Sequence, residues 1–312
     1  MSKPFGFLSI NKPTGLTSHD CVNVIRKLFG TRRVGHGGTL DPSVTGVLPI
    51  AIGNATRLLP YLQEGKRYKA KIQLGVSTST DDLNGEIFFR RKWPVLEKVV
   101  MEKYLNKFRG AIQQQPPRVS SIHIKGERAY KKARRGELFD LPTKKIFIYK
   151  LILISWDNNS GLIEIDVHCS SGTYIRSIAR DLGESLGCGG CLKELHRTQA
   201  LGFTEDQSIL LPRNNNNKTS ILPNLIPPIE ALLHLDQIKL REEQLDLWRK
   251  GQRLILLDDY PTKIANQKEC LPKNQHLNKF IAIVNCNNKV EGIGEKIEQG
   301  TIQPKVVFNA YG

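Results

Sequence analysis

The sequence predicts a chain of mixed helices and strands in two parts, and three observations carry that prediction. Before residue 211, apolar residues recur with helical spacing in some segments and alternate with polar ones in others. Residues 211–228, LPRNNNNKTSILPNLIPP, then join an asparagine run to four prolines with no usable hydrophobic period, which is the composition of a linker. A length of 312 residues with 39% hydrophobic content suits two modest cores better than one large one. The expected parts are 1–210, a linker over 211–228, and 229–312.

The elements follow in order. Thr17 to Phe29 reads as a helix: a Thr/Ser cap, Asp20 in the first turn, Val22, Ile25, Leu28 and Phe29 on one face, and Gly30 to close it. Next comes RVGHGGTLDP, Arg33 to Pro42, where Gly35, Gly37 and Gly38 are expected to take positive φ and to present Asp41 at a cleft. Asp before Pro also simply begins turns, so these residues alone leave both readings open. Tyr68, Ala70, Ile72 and Leu74 alternate with Lys69, Lys71 and Gln73, the period of a half-buried strand with Tyr68 facing inward. Ile163, Ile165 and Val167 repeat that pattern. After Ser170, Ser171 and Gly172 the spacing changes to Ile175, Ile178, Leu182 and Leu186, a helix closed by Gly187, with Arg176 in its first turn and off the apolar stripe. A cation at a helix N-terminus opposes the dipole, so Arg176 is either a surface residue or the partner of a buried acid. Tyr68 could equally be a core tyrosine with a satisfied hydroxyl, and His36 a structural histidine.

Charge limits the partner. The net charge is +16. Residues 1–228 hold 34 basic and 19 acidic side chains, and residues 229–312 hold 12 and 11, so nearly all of the excess precedes residue 229. Basic residues bunch at Arg32 and Arg33, at Lys66 to Lys71 around Tyr68, and at Lys125 to Arg135 around Tyr130. This favours nucleic acid over an anionic membrane, because no amphipathic helix with a broad apolar face accompanies the charges. No apolar run approaches the roughly 18 residues of a membrane span, and the start, MSKPFGFLSINKP, lacks a signal core, so a cytoplasmic protein is expected. Six scattered cysteines make no disulfide framework and are expected as thiols. Cys188 and Cys191 form a CxxC near His196, but no second pair follows at zinc-site spacing, so no metal is expected.

Four blocks, GFLSINKPTGLTSHDCVNVIRK, RRVGHGGTLDPSVTGVLPIAIGNATRL, KRYKAKIQLG and SSGTYIRSIARDLGESLGCGG, resemble the bacterial tRNA pseudouridine-55 synthases, the TruB family, in the family's order over most of residues 1–205. The resemblance implies an α+β pseudouridine synthase fold: a mixed, mainly antiparallel sheet flanked by helices, with a central cleft. It implies Asp41 as the catalytic carboxylate, Arg176 as the arginine that keeps it ionised, and Tyr68 stacked on the target base and aiding proton removal. It further implies that His36 braces the flipped nucleotide and that Leu195 walls the uracil pocket. Lys12, Arg33, Gly35, Lys66 and Tyr174, within the matched blocks, are expected as further substrate contacts. The expected substrate is the T-loop of tRNA, with no cofactor and the chain acting as a monomer. More faintly, GQRLILLD, FIAIVN and VEGIGE in 229–312 resemble the family's PUA-like β-barrel.

The chain also departs from the family. Ser121 and His123 replace an alanine and a lysine after the paired prolines, which moves an expected phosphate contact toward Lys125, and Cys191 and His196 stand where histidine and arginine are common. Two rival activities are weaker. A non-catalytic RNA-binding protein has no need of Asp41, Tyr68 and Arg176 together. A base-removing hydrolase needs an activated water, and no histidine and carboxylate are spaced to supply one.

Overall fold

The computed structural model describes residues 5–212, 222–255, 262–263, 277–297 and 300–310. In chain order the elements are β1 (Gly6–Lys12), α1 (Ser18–Phe29), β2 (Val34–His36), β3 (Thr45–Ile52), β4 (Lys66–Leu74), β5 (Val76–Thr78), β6 (Ile87–Arg90), α2 (Lys98–Asn106) and β7 (Gly110–Gln114). They continue with β8 (His123–Ile124), β9 (Glu127–Arg128), α3 (Ala129–Arg134), β10 (Lys144–Asp157), β11 (Leu162–Cys169), α4 (Ile175–Ser185), β12 (Gly190–Ala200), β13 (Phe203–Thr204) and β14 (Ile209–Leu210). The C-terminal stretch adds α5 (Pro228–Ala231), β15 (Asp236–Lys239), α6 (Glu242–Arg249), β16 (Leu254–Ile255), β17 (Thr262–Lys263), β18 (Phe280–Val284), β19 (Val290–Lys296) and β20 (Thr301–Val307).

These elements form two compact units that cut across chain order: residues 1–42, 46–64 and 200–312 make the first, and 43–45 with 65–199 the second. The break expected over 211–228 is not where the contacts divide. Of that stretch, residues 213–221 lie outside the described residues, and Ile226 exchanges backbone hydrogen bonds of 2.8 Å with Phe7 in both directions.

In the first unit, β1 runs antiparallel to β3 from the Gly6–Ile52 pair to the Lys12–Gly46 pair, with β14 parallel on its other side. The helix expected over 17–29 is α1. Its Thr17 hydroxyl accepts from the Asp20 amide and the Asp20 carboxylate accepts from the Thr17 amide, a reciprocal cap, and Gly30 ends it at φ 61°. The C-terminal strands form a curled six-stranded sheet in the order β16-β20-β19-β18-β15-β17, as a PUA-like fold requires. Phe7, Ala51 and Leu58 share one apolar core with Phe280, Ile293 and Phe308. Burying that surface joins the two ends of the chain.

In the second unit the strand order is β12-β4-β11-β10-β7, with β4, β11, β10 and β7 antiparallel in succession. The strand expected from Tyr68 to Leu74 is β4, and alternate positions from Tyr68 to Leu74 are buried. Helix α4 buries Ile175, Ile178 and Leu182, as its spacing predicts. Its Gly183 lies so close to the start of β12 that a Cβ there would stand 2.0 Å from the Gly190 nitrogen. With parallel and antiparallel pairs and helices beside the strands, the fold is α+β, as expected. No helix among the described residues is long and apolar enough to cross a membrane.

Candidate active site

In the first unit, Asp41 sits between two fixed points. On one side, the Leu40 amide donates to the Ser18 hydroxyl at 2.8 Å, and that hydroxyl donates back to the Leu40 carbonyl at 3.2 Å. On the other, the Pro42 carbonyl accepts from the Gly15 amide at 2.8 Å and from Lys12 Nζ at 3.3 Å. The half-buried Asp41 is thereby held at the end of a tied loop. Earlier in that loop, the Gly38 amide donates to His36 Nδ1 at 3.2 Å.

The glycines act differently from the expectation. Only Gly38 takes a positive φ, 122°. Gly35 lies in β2 opposite Ala51, and Gly37 is needed for space, since a Cβ there would come within 2.5 Å of the Leu201 side chain. Lys12 also departs from its expected role as a substrate contact. It is 0% exposed, and its ammonium donates to the Pro13 and Leu16 carbonyls at 2.8 and 2.7 Å as well as to Pro42. An ammonium spent on three carbonyls shapes the loop from within. Arg33 is exposed and donates to the Asn54 side chain.

In the second unit, Arg176 is 7% exposed. Its guanidinium donates to the Thr80 and Val119 carbonyls at 3.0 Å each, and Asp82 Oδ2 lies 3.6 Å from Nη1. The acid that a first-turn arginine calls for is thus present within its own unit. Asp82 is itself fixed, accepting from the Thr80 hydroxyl at 2.7 Å and the Asn84 amide at 3.0 Å. The side chain of Gln114 clasps Tyr174, accepting from its amide at 2.8 Å and donating to its carbonyl at 3.0 Å, so the start of α4 is pinned to β7.

Tyr68, in the middle of β4, is 6% exposed, and the Arg197 guanidinium of the neighbouring β12, 0% exposed, donates to its hydroxyl. Leu195 is half-buried on the same strand, two residues before Arg197 and so on the same side of it. The sequence reading passed over both Asp82 and Arg197. Strand parity with Leu195 was a signal for Arg197; Asp82 gave none, because its turn shows no period.

Lys66, at the start of β4, is pulled down to about 8 by burial and by the Arg197 cation. Unfolded, a lysine holds its proton to about 10.5. Between those values the unfolded chain binds more protons, so this residue makes stability rise with pH across that window, with no slope below it. The melting-temperature advantage of Lys66→Met over the parent is therefore expected to be largest near neutrality and to shrink as pH rises through that window. A difference independent of pH would show that Lys66 is not the half-buried, depressed cation described.

The family departures have defined places. His196 Nδ1 lies 2.7 Å from the Thr45 hydroxyl, inside the second unit. His123 is exposed and pairs with Arg128 across the β8–β9 hairpin, whose two-residue turn puts Lys125 and Gly126 at positive φ. Within the basic run, Lys132 and Arg135 are engaged by Glu127 and Glu137. Cys188 and Cys191 are buried free thiols, and no group of three or more metal-ligating side chains is gathered among the described residues.

Comparison with known proteins identifies the family. The model of the TruB family pseudouridylate synthase N-terminal domain matches residues 26–175, and that of the tRNA pseudouridylate synthase B C-terminal domain matches residues 176–234. A protein named tRNA pseudouridine synthase B from Prochlorococcus marinus (strain MIT 9313) is 49% identical over 320 residues, covering 100% of both chains. A namesake from Synechococcus sp. (strain WH7803) is 50% identical over 316 residues, again covering 100% of both. Two solved structures share the fold at a TM-score of 0.70. One is an H/ACA RNP bound to a substrate RNA containing 2'-deoxyuridine, at 22% identity over 97% of this chain and 85% of that one. The other is a Cbf5-Nop10-Gar1 complex, at 23% identity over 97% of this chain and 84% of that one. At full-length identities near one half, and with both family models in sequence order, the chain belongs to the TruB family of pseudouridine synthases.

Proposed function

We propose that this protein isomerises uridine to pseudouridine in tRNA, at position 55 of the T-loop, with Asp41 as the catalytic carboxylate. The reaction breaks the bond from ribose C1′ to N1, turns the uracil and joins C1′ to C5, with no redox change and no added atoms. It needs a carboxylate at C1′, as nucleophile or as partner to a glycal-forming elimination, and a cation that keeps that carboxylate ionised away from water. The observation that carries the reading is the presentation of Asp41: Ser18 ties the residue before it and Lys12 with Gly15 ties the residue after it.

Arg176 is the cation of this proposal. Within its own unit, the Asn84 amide holds the Asp82 carboxylate that faces Arg176, which fixes the place of the guanidinium. Tyr68 stacks on the everted uracil, Leu195 walls its pocket, and His36, Arg33, Lys66 and Tyr174 contact the surrounding RNA. The protein acts as a single chain in the cytoplasm, where tRNA is processed. The near-neutral C-terminal sheet contributes shape, and the rest of the chain supplies the attraction to phosphate.

The test is direct. An unmodified tRNA transcript incubated with the protein should gain pseudouridine at the T-loop uridine, read by position-specific chemical mapping, and a transcript with cytidine there should gain none. Binding without conversion would instead establish the non-catalytic alternative. Raising salt from about 50 to 200 mM should weaken tRNA binding on the order of 10³-fold if phosphate contacts dominate, and a flat response would remove that source of affinity.

A further inference from the structure

The proposed isomerisation must move a proton. Once C1′ has joined C5, the C5–H bond breaks, its electron pair becomes the C5–C6 double bond, and the N1–C6 pair shifts onto N1, which is protonated. One proton leaves and one arrives, so no co-reactant is needed. What remains is how an acceptor is held at C5.

Tyr68 is the side chain proposed beside the base, and its ring is fixed from behind. Arg197 stands on the adjacent strand β12, fully enclosed, with its guanidinium on the Tyr68 hydroxyl. A guanidinium has five N–H donors and no acceptor, so the phenolic oxygen must be the acceptor in this contact. The strands are locked on both sides of it: the Thr198 hydroxyl donates to the Arg67 carbonyl at 3.3 Å, and Lys71 pairs with Glu194 at 2.7 Å. Enclosing this cation is costly, because Lys66 lies close enough for the two positive charges to oppose each other, and the Cys169 thiol, pushed up to about 11 by burial, offers little negative charge in return.

We infer that Arg197 is the positioning residue for Tyr68, holding the phenolic oxygen from the side closed to solvent so that the ring keeps its rotation with that oxygen turned toward C5 of the target base. This role rests on the proposed reaction at Asp41.

The experiment is a double-mutant cycle on the full chain with unmodified tRNA, reading single-turnover rate and tRNA Kd separately. Arg197→Met should lower the rate about 100-fold through loss of alignment while Kd stays within about threefold, and Arg197→Lys should recover part of the rate. In a Tyr68→Phe background, Arg197→Met should cost no more than about twofold, the error of additivity. An equal loss in both backgrounds, or an unchanged rate in the parent background, overturns the role. Should Arg197→Met melt early, Arg197→Lys completes the same cycle. An inactive parent would overturn the reaction and this role with it, whereas an active parent indifferent to Arg197 overturns this role alone.

Discussion

Asp41→Asn should abolish pseudouridine formation, lowering the single-turnover rate about 10⁴-fold or more, as removal of a central catalytic group does in other enzymes. The amide matches the carboxylate in shape, and Leu40 and Pro42 on either side keep their own bonds, so the turn should keep its course. What is lost is the charge that meets the developing positive sugar. Affinity for tRNA should stay within about threefold, because binding is carried by cations reaching phosphates, and removing one negative charge does not weaken that attraction. Measuring rate and Kd on the same preparation separates the two effects. Conversion near the parent rate would remove Asp41 from the chemistry.

Lys12→Met should be the most damaging change remote from the reacting atoms. It removes the enclosed ammonium on which the carbonyls of Pro13, Leu16 and Pro42 converge. The Pro42 carbonyl keeps its bond from the Gly15 amide, so two acceptors lose their donor at about 1–3 kcal/mol each, and the relief of not burying an ammonium offsets part of the sum, so a net loss of about 2 kcal/mol is expected. That corresponds to a melting temperature roughly 3–5 °C lower. The Pro42 side of the Asp41 loop loses one of its two ties, and a displacement of about 1 Å at a reacting group is worth about 100-fold in rate. Calorimetry and single-turnover kinetics on the one variant should show both losses. A variant as stable as the parent but weaker in binding tRNA would return Lys12 to the role of RNA contact.

What the sequence made legible was local. The cap on α1 is readable because Thr17 and Asp20 are three residues apart and satisfy each other. The inward side of β4 and the apolar stripe of α4 are periodic, so Tyr68 and the junction bearing Arg176 could be placed before any coordinates. The resemblance supplied the roles, since no spacing says that a tyrosine on a strand meets a base. What stayed hidden was assembled across the chain. Lys12 reads as a surface cation until the Pro42 carbonyl, thirty positions away, comes to it. Asp82 and Arg176 meet across 94 positions, and Tyr68 and Arg197 across 129, with no composition or period to announce either pair. Asparagines and prolines over 211–228 mark a loose segment, but they do not reveal that Phe7 and Phe308 belong to one interior.

That shared interior sets an order of events during synthesis. A ribosome finishes residues 65–199 long before it releases Phe280, Ile293 and Phe308, so the middle of the chain can fold while the opening strand still lacks the side chains that cover it. The nascent chain is therefore expected to carry Phe7, Ala51 and Leu58 uncovered until the last hairpin emerges to meet them.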